Sequence, residues 1–176
     1  LKLLIFTYPS NQYVVMIHYT YKVGGILIQI EMIETMEQFF DHTQIILLLK
    51  DQMEYIGSPK SNDELLKTIT LALKTDSAHL MVISENGNTL GFAFFNIAIG
   101  MESSGKYLWL NEMHIHKDYR SKGYGAVLID KMKEWCKENK VVRIMGMADE
   151  SEKRTLQFYQ KQGAETYSQD IISIKL

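Results

Sequence analysis

Cysteine is nearly absent from this chain of 176 residues: Cys136 stands alone. One thiol excludes an internal disulfide framework and a structural zinc site built on cysteines. Proline is scarce too, with two residues, and charged residues make up 23%. A disordered or low-complexity chain is thereby excluded. Charge of either sign is not in excess: 19 bases against 21 acids leave a net −2, so bulk charge does not mark a nucleic-acid binder. No apolar run approaches the ~18 residues that a membrane helix needs. Leu1-Lys2-Leu3-Leu4-Ile5-Phe6 opens like a secretory signal, but the stretch is short and no small-residue cleavage site follows. The expectation is a soluble, cytoplasmic protein with neither nucleic acid nor membrane as partner. Ten methionines and a lone thiol suit a reducing compartment. At 46% hydrophobic, the chain can bury one domain's core.

The chain begins with Leu, and residues 1–30 carry two lysines and no acid before Glu31, Glu34 and Glu37 arrive together. This places a boundary near 26–33. Residues 1–25 read as an N-terminal appendage or an extra strand, and 26–176 as the main domain. The extra-strand reading rests on β-branched and aromatic runs at 13–22 and 26–33 around Gly24-Gly25, a hairpin signal. Apolar residues recur at helical spacing from 34 to 56, ending at Gly57-Ser58-Pro59. Ser61 with Glu64 forms a capping box for a second helix. Strands follow at 80–84, 90–99 and 107–115, the first two joined by Asn86-Gly87-Asn88. Then come a helix over 123–139, a strand over 141–147 and a helix over 151–162 stopped by Gly163. Two short strands are expected at 164–168 and 171–175. Early hairpins and a late β-α-β-α-β unit predict an α/β (α+β) fold: a mixed, mostly antiparallel sheet of about seven strands with helices on both faces.

The stretch that carries chemistry is Glu112-Met113-His114-Ile115-His116-Lys117-Asp118-Tyr119-Arg120-Ser121-Lys122-Gly123-Tyr124-Gly125-Ala126. A strand ends, and a glycine-punctuated loop opens a helix. Helix N-termini present free N–H groups and a positive dipole end, which suits an anion such as a pyrophosphate. Gly123 and Gly125 let backbone approach phosphate closely, and Arg120 and Lys122 add charge. A dinucleotide fingerprint would need a third glycine, and a P-loop its Lys-Ser/Thr; both are missing.

Arg120-Ser121-Lys122-Gly123-Tyr124-Gly125 resembles the R/Q-x-x-G-x-G/A acetyl-CoA motif of the GNAT superfamily of N-acetyltransferases. Leu156-Gln157-Phe158-Tyr159-Gln160-Lys161-Gln162-Gly163 resembles that family's second signature, an aromatic-Tyr helix ending in Gly. The resemblance covers roughly 26–176. It implies an acetyltransferase that uses acetyl-CoA as co-substrate and needs no metal. The pyrophosphate would lie on the amides of Lys122, Gly123, Tyr124, Gly125 and Ala126, with Arg120 and Ser121 alongside. The pantetheine arm would run along the strand end at Met113, His114 and Ile115. Tyr159 would border the coenzyme and donate a proton to the departing thiolate. Departures are Glu152 and Thr155 where the family often has Asn and Ala, and Ala164 where it usually has Phe. An Asn bond to pantetheine therefore does not carry over.

An acceptor amine must lose a proton before attack. Glu112 stands where many members of the family have a carboxylate. His114 shares its face by strand alternation and is a second candidate base. His114 and His116 form a His-x-His pair without an evident third ligand. Residues 31–64 hold eight acids against two bases, whereas 106–143 hold nine bases against five acids. A basic cofactor half suits the anionic coenzyme, and an acidic half suits a cationic amine. The expectation is direct acetyl transfer to a primary amine, small molecule or peptide, in a ternary complex; a homodimer stays open. Cys136, on the inward face of its helix, is a poor nucleophile. The rivals are a catalytically silent acyl-CoA sensor of the same fold and a nucleotide-binding module.

Overall fold

The computed structural model describes residues 2–7, 13–23, 26–42, 44–168 and 171–174, with backbone alone for 2–7, 13–23 and residue 26. The chain forms two compact units, residues 1–146 and 147–176.

The first unit contains seven strands in one sheet, ordered β1-β2-β3-β4-β5-β6-β7. They are β1 (Lys2–Thr7), β2 (Tyr13–Val23), β3 (Ile26–Ile33), β4 (Ala78–Glu85), β5 (Asn88–Gly100), β6 (Gly105–Ile115) and β7 (Val141–Gly146). Every neighbouring pair is antiparallel except β6 and β7, which are parallel. Three helices, α1 (Met36–Asp41), α2 (Ile45–Tyr55) and α3 (Asn62–Ala72), lie between β3 and β4; α4 (Tyr124–Glu138) joins β6 to β7. A parallel neighbour requires such a crossover.

Strand alternation divides the core. Ile33, Leu80, Val82 and Phe92 pack with Phe39, Ile45, Leu48, Leu49, Leu65 and Ile69 of α1 to α3. Phe95, an odd number of residues from Phe92, meets the Trp135 ring of α4 edge-on, with centroids 5.4 Å apart. The helices thus cover both faces. The mixed, mostly antiparallel seven-stranded sheet expected from sequence is present, but the elements differ from expectation in three places.

The sequence predicts one helix from 34 to 56; the structure breaks it between α1 and α2. Thr35 and Gln38 form a capping box that starts α1, and His42 leaves helical geometry. Its Nε2 lies 3.4 Å from Glu31 on β3, and its Nδ1 3.4 Å from the Thr89 hydroxyl on β5. These contacts draw the chain onto the sheet, which local periodicity does not register. The strands expected at 164–168 and 171–175 are also absent among the described residues, and part of that span lies outside them. Ile171, Ile172 and Ile174 have strand propensity but remain exposed and belong to no ladder. Propensity forms a strand only where a neighbour pairs. Conversely, the signal-like opening is β1, paired with β2. β2 pairs with β3 from Val23↔Ile26 to His18↔Glu31; the glycines of the expected turn lie outside the described residues. The second unit contains α5 (Lys153–Lys161). Among the described residues, no helix is long and apolar enough to cross a membrane.

Gly91 lies opposite Ile115 where β5 packs closely on β6. A Cβ there would collide with the His114 carbonyl oxygen and with Ile115. Gly91→Ala should therefore destabilise the first unit by about 1–3 kcal/mol, the usual cost of overpacking. A lowered urea midpoint at an unchanged slope would show it.

Candidate active site

Pairing between β6 and β7 stops at Leu110↔Gly146, while β6 runs on to Ile115. Among the described residues, no strand therefore pairs with the backbone of 111–115 on that side. The N–H of His116 donates to Leu90 at 2.8 Å. Antiparallel alternation then turns the backbone groups of His114 and Glu112 toward β5, and those of Met113 and Ile115 toward the open side. The Arg120 Nε donates to the Ile115 carbonyl at 2.9 Å, which agrees with that orientation. Left on the open edge are the N–H groups of Met113 and Ile115 and the Met113 carbonyl.

Beyond Ile115 come a 3-10 turn at Lys117–Tyr119 and the loop into α4. Gly123 caps α4 at φ +92°, a left-handed conformation that favours glycine. A Cβ there would meet no heavy atom within 4 Å, so the space beside Gly123 is open. No side chain caps α4. The first-turn N–H groups of Tyr124, Gly125 and Ala126 precede the first intrahelical bond, donated by Val127 to Gly123. Ser121 is also left-handed, at φ +63°. The Lys122 ammonium lies 5.2 Å from the Tyr119 ring centroid. This edge and cap would hold a chain ending in a pyrophosphate: donors and an acceptor along β6, bare N–H groups at α4, and Arg120 bridging them.

One extra residue on β6 sets the other half of the site. Phe94 pairs with Glu112 and Phe95 with Leu110, so Asn111 is a bulge. It places Leu108 and Leu110 on the α4 face but Glu112 and His114 on the α2 face. Glu112 is half-buried, and burial raises its carboxyl above the usual range. His114 is buried, with Nδ1 3.0 Å from Oε1 of Gln52 on α2. Burial lowers its pKa to about 4, helped by Arg120 and His116 and opposed by Asp51. Gln52 and Asp51 are not legible in the sequence as site residues: 62 positions separate Gln52 from His114.

In the second unit, Tyr159 is half-buried on α5, and burial raises its phenol above the ordinary value. It stays protonated at neutral pH. Gly163, at φ +88°, closes α5 with a Schellman turn: Ala164 N–H donates to Tyr159 and Gly163 N–H to Gln160. Cys136 is buried in α4 and its thiol is pushed up to about 11. Among the described residues no three His, Cys, Asp or Glu side chains are grouped to hold a metal.

The model of the acetyltransferase (GNAT) family matches residues 42–164, which span the open edge, the α4 cap and α5. The chain belongs to that family. Its fold is shared with solved structures of low identity. An integron cassette protein from Vibrio cholerae is 15% identical, with TM-score 0.70 over 84% of this chain and 92% of its own. An aminoglycoside acetyltransferase from an uncultured soil metagenomic sample, in complex with sisomicin, is 15% identical, with TM-score 0.67 over 85% and 95%. A ribosomal-protein-alanine N-acetyltransferase from Brucella melitensis biovar Abortus is 18% identical, with TM-score 0.65 over 84% and 99%. No curated protein matches in sequence.

Only the thiolate of Cys136 would react with an alkylating reagent, and burial keeps the thiol protonated far above neutral pH. Iodoacetamide at pH 8 should label the folded chain slowly and the urea-unfolded chain fast, as mass spectrometry would read. Rapid labelling of folded protein would mean an exposed, activated thiol.

Proposed function

We propose that this chain moves the acetyl group of acetyl-CoA to a primary amine by direct attack, with both substrates bound. The observation that carries the reading is the open edge of β6 beyond Leu110 running into the uncapped N-terminus of α4, in a chain of this family. The coenzyme supplies an acyl group activated as a thioester. The amides of Lys122 to Ala126, with Arg120 and Ser121, receive its pyrophosphate, and Met113 and Ile115 bind its arm as an added strand would be bound. His114 contributes its place in that strand rather than a bond, since its backbone faces β5.

Glu112 takes the proton from the amine, directly or through a water. Its raised pKa brings it closer to the operating pH than an ordinary carboxylate. Tyr159, protonated at neutral pH, supplies the proton that the departing sulfur takes. The acceptor reading is a cationic small molecule or peptide amine. It is supported by acids exposed on α1 to α3, among them Glu37, Asp41, Asp51, Glu54, Asp63 and Glu64. A field of that sign raises the local concentration of protonated amines.

Thiol release from acetyl-CoA across a panel of polyamines, aminoglycosides, amino acids and peptides tests the activity. Coenzyme binding without release from any of them would point to an acyl-CoA sensor. Tyr159→Phe should lower turnover ~10²–10⁴-fold while acetyl-CoA affinity changes little. Unchanged turnover with a chemically limited amine would make Tyr159 a packing residue. Exposed charges are screened beyond about 8 Å at physiological ionic strength. The Michaelis constant for a cationic acceptor should therefore rise with salt more than turnover falls. Salt-independent constants, with equal use of neutral amines, would remove the electrostatic part of the reading.

A further inference from the structure

His114 has one hydrogen-bond partner and needs two. Its ring is 5% exposed and stacks near Phe92, with centroids 6.1 Å apart. The Gln52 Oε1 beside Nδ1 can only accept, so the ring proton is on Nδ1 and Nε2 carries a lone pair. That Nε2 is shielded from solvent and, among the described residues, is a buried side-chain polar atom left without a partner. Buried acceptors are almost always satisfied, and an exception calls for a donor that the folded chain does not supply.

We propose that Nε2 of His114 accepts a hydrogen bond from the acceptor amine, and that Gln52 is the positioning residue that holds the ring in the tautomer able to do so. This rests on the acetyl-transfer reading above and deepens it. The attacking nitrogen must aim its lone pair at the acyl carbon, so its N–H bonds must be directed elsewhere. Glu112 and His114 are two residues apart on one face of β6 and offer two acceptors of different kinds. The carboxylate draws the proton that leaves; the neutral imidazole takes only a hydrogen bond. The cationic amine first gives one proton to Glu112, which frees its lone pair and passes that proton to solvent; as the new C–N bond forms and the C–S bond breaks, a second proton goes from nitrogen to Glu112 and one from Tyr159 to sulfur, which solvent replaces. His114 ends as it began.

The surroundings favour this division. Arg120 and His116, along the strand and its following loop, disfavour a positive charge on the ring; Asp51 on α2 opposes them. Gln52, a neutral amide, fixes the proton on Nδ1 without the charge by which a carboxylate there would turn the ring into a base. Sequence spacing cannot show this pair, because α2 and β6 meet only in the fold.

Long-range proton–nitrogen NMR on the full chain reads the tautomer without any acceptor. The expected result is an Nδ1–H ring at pH 7 titrating near its value of about 4, and mixed tautomers in Gln52→Leu. An Nε2–H ring in the parent overturns the proposal. Kinetics with the best amine of the panel supply the second arm. His114→Phe and Gln52→Leu should each lower kcat/KM for the amine roughly tenfold, the scale of one hydrogen bond. The KM for acetyl-CoA and the acid limb of the pH profile, which belongs to Glu112, should stay at parental values. An acid limb that moves in Gln52→Leu makes His114 the base and overturns the orienting role. Should His114→Phe fail to fold, Gln52→Leu and the parent's NMR still decide. A parent active on an amine, with Gln52→Leu equal to it, overturns this proposal alone. A parent that transfers acetyl to no amine overturns the functional reading with it.

Discussion

The early end of the β6–β7 ladder is the constraint on which the site depends. Backbone N–H and C=O groups need partners, and a strand that outruns its neighbour keeps a row of them unmet. Here that row leads from Met113 to the α4 cap, where more N–H groups lack partners. The crossover helix connects the two: because β6 and β7 are parallel, the chain must pass through α4, and α4 must start beside the end of β6. Arg120 ties the two ends together by donating to Ile115. An extended molecule with an anionic end would find a ladder edge and a row of free N–H groups in series, built almost wholly from backbone.

The bulge at Asn111 is the second device. Without it, Leu110 and Glu112 would share a face, and the strand would turn either an acid toward the leucines of the α4 core or those leucines toward α2. One inserted residue lets β6 give Leu108 and Leu110 to the α4 core and Glu112 and His114 to α2. Both groups then titrate away from their ordinary values because they are partly or fully removed from water. The packing of α2 thus shapes the chemistry of β6, and a change in either should be felt in both.

The chain's own spacing determined a good deal. The loop from Arg120 to Ala126, the glycine at the α4 cap and the Tyr159–Gly163 spacing are local. So are Ser61 with Glu64, and the β4–β5 hairpin. Each depends on backbone geometry within a few residues, which residue type alone dictates. The faces of Glu112 and His114 follow from the period of a strand. The order of elements from β3 to α5 followed from these, apart from the break between α1 and α2, and with it a mixed sheet covered on both sides.

Tertiary structure decided what depends on neighbours far along the chain. The α1–α2 break answers to Glu31 and Thr89, which hold His42 to the sheet. Leu1–Phe6 has the composition of a secretory start, yet 2–7 is a strand because β2 lies beside it; 171–174 has the composition of a strand and is none, for want of a partner. The point where β7 leaves β6 and the bulge at Asn111 are matters of register, which exists only between strands. The pairing of Gln52 with His114 is the extreme case. Hydrogen bonding, burial and pKa belong to a place in space, and only folding brings residues so far apart in the chain to the same place.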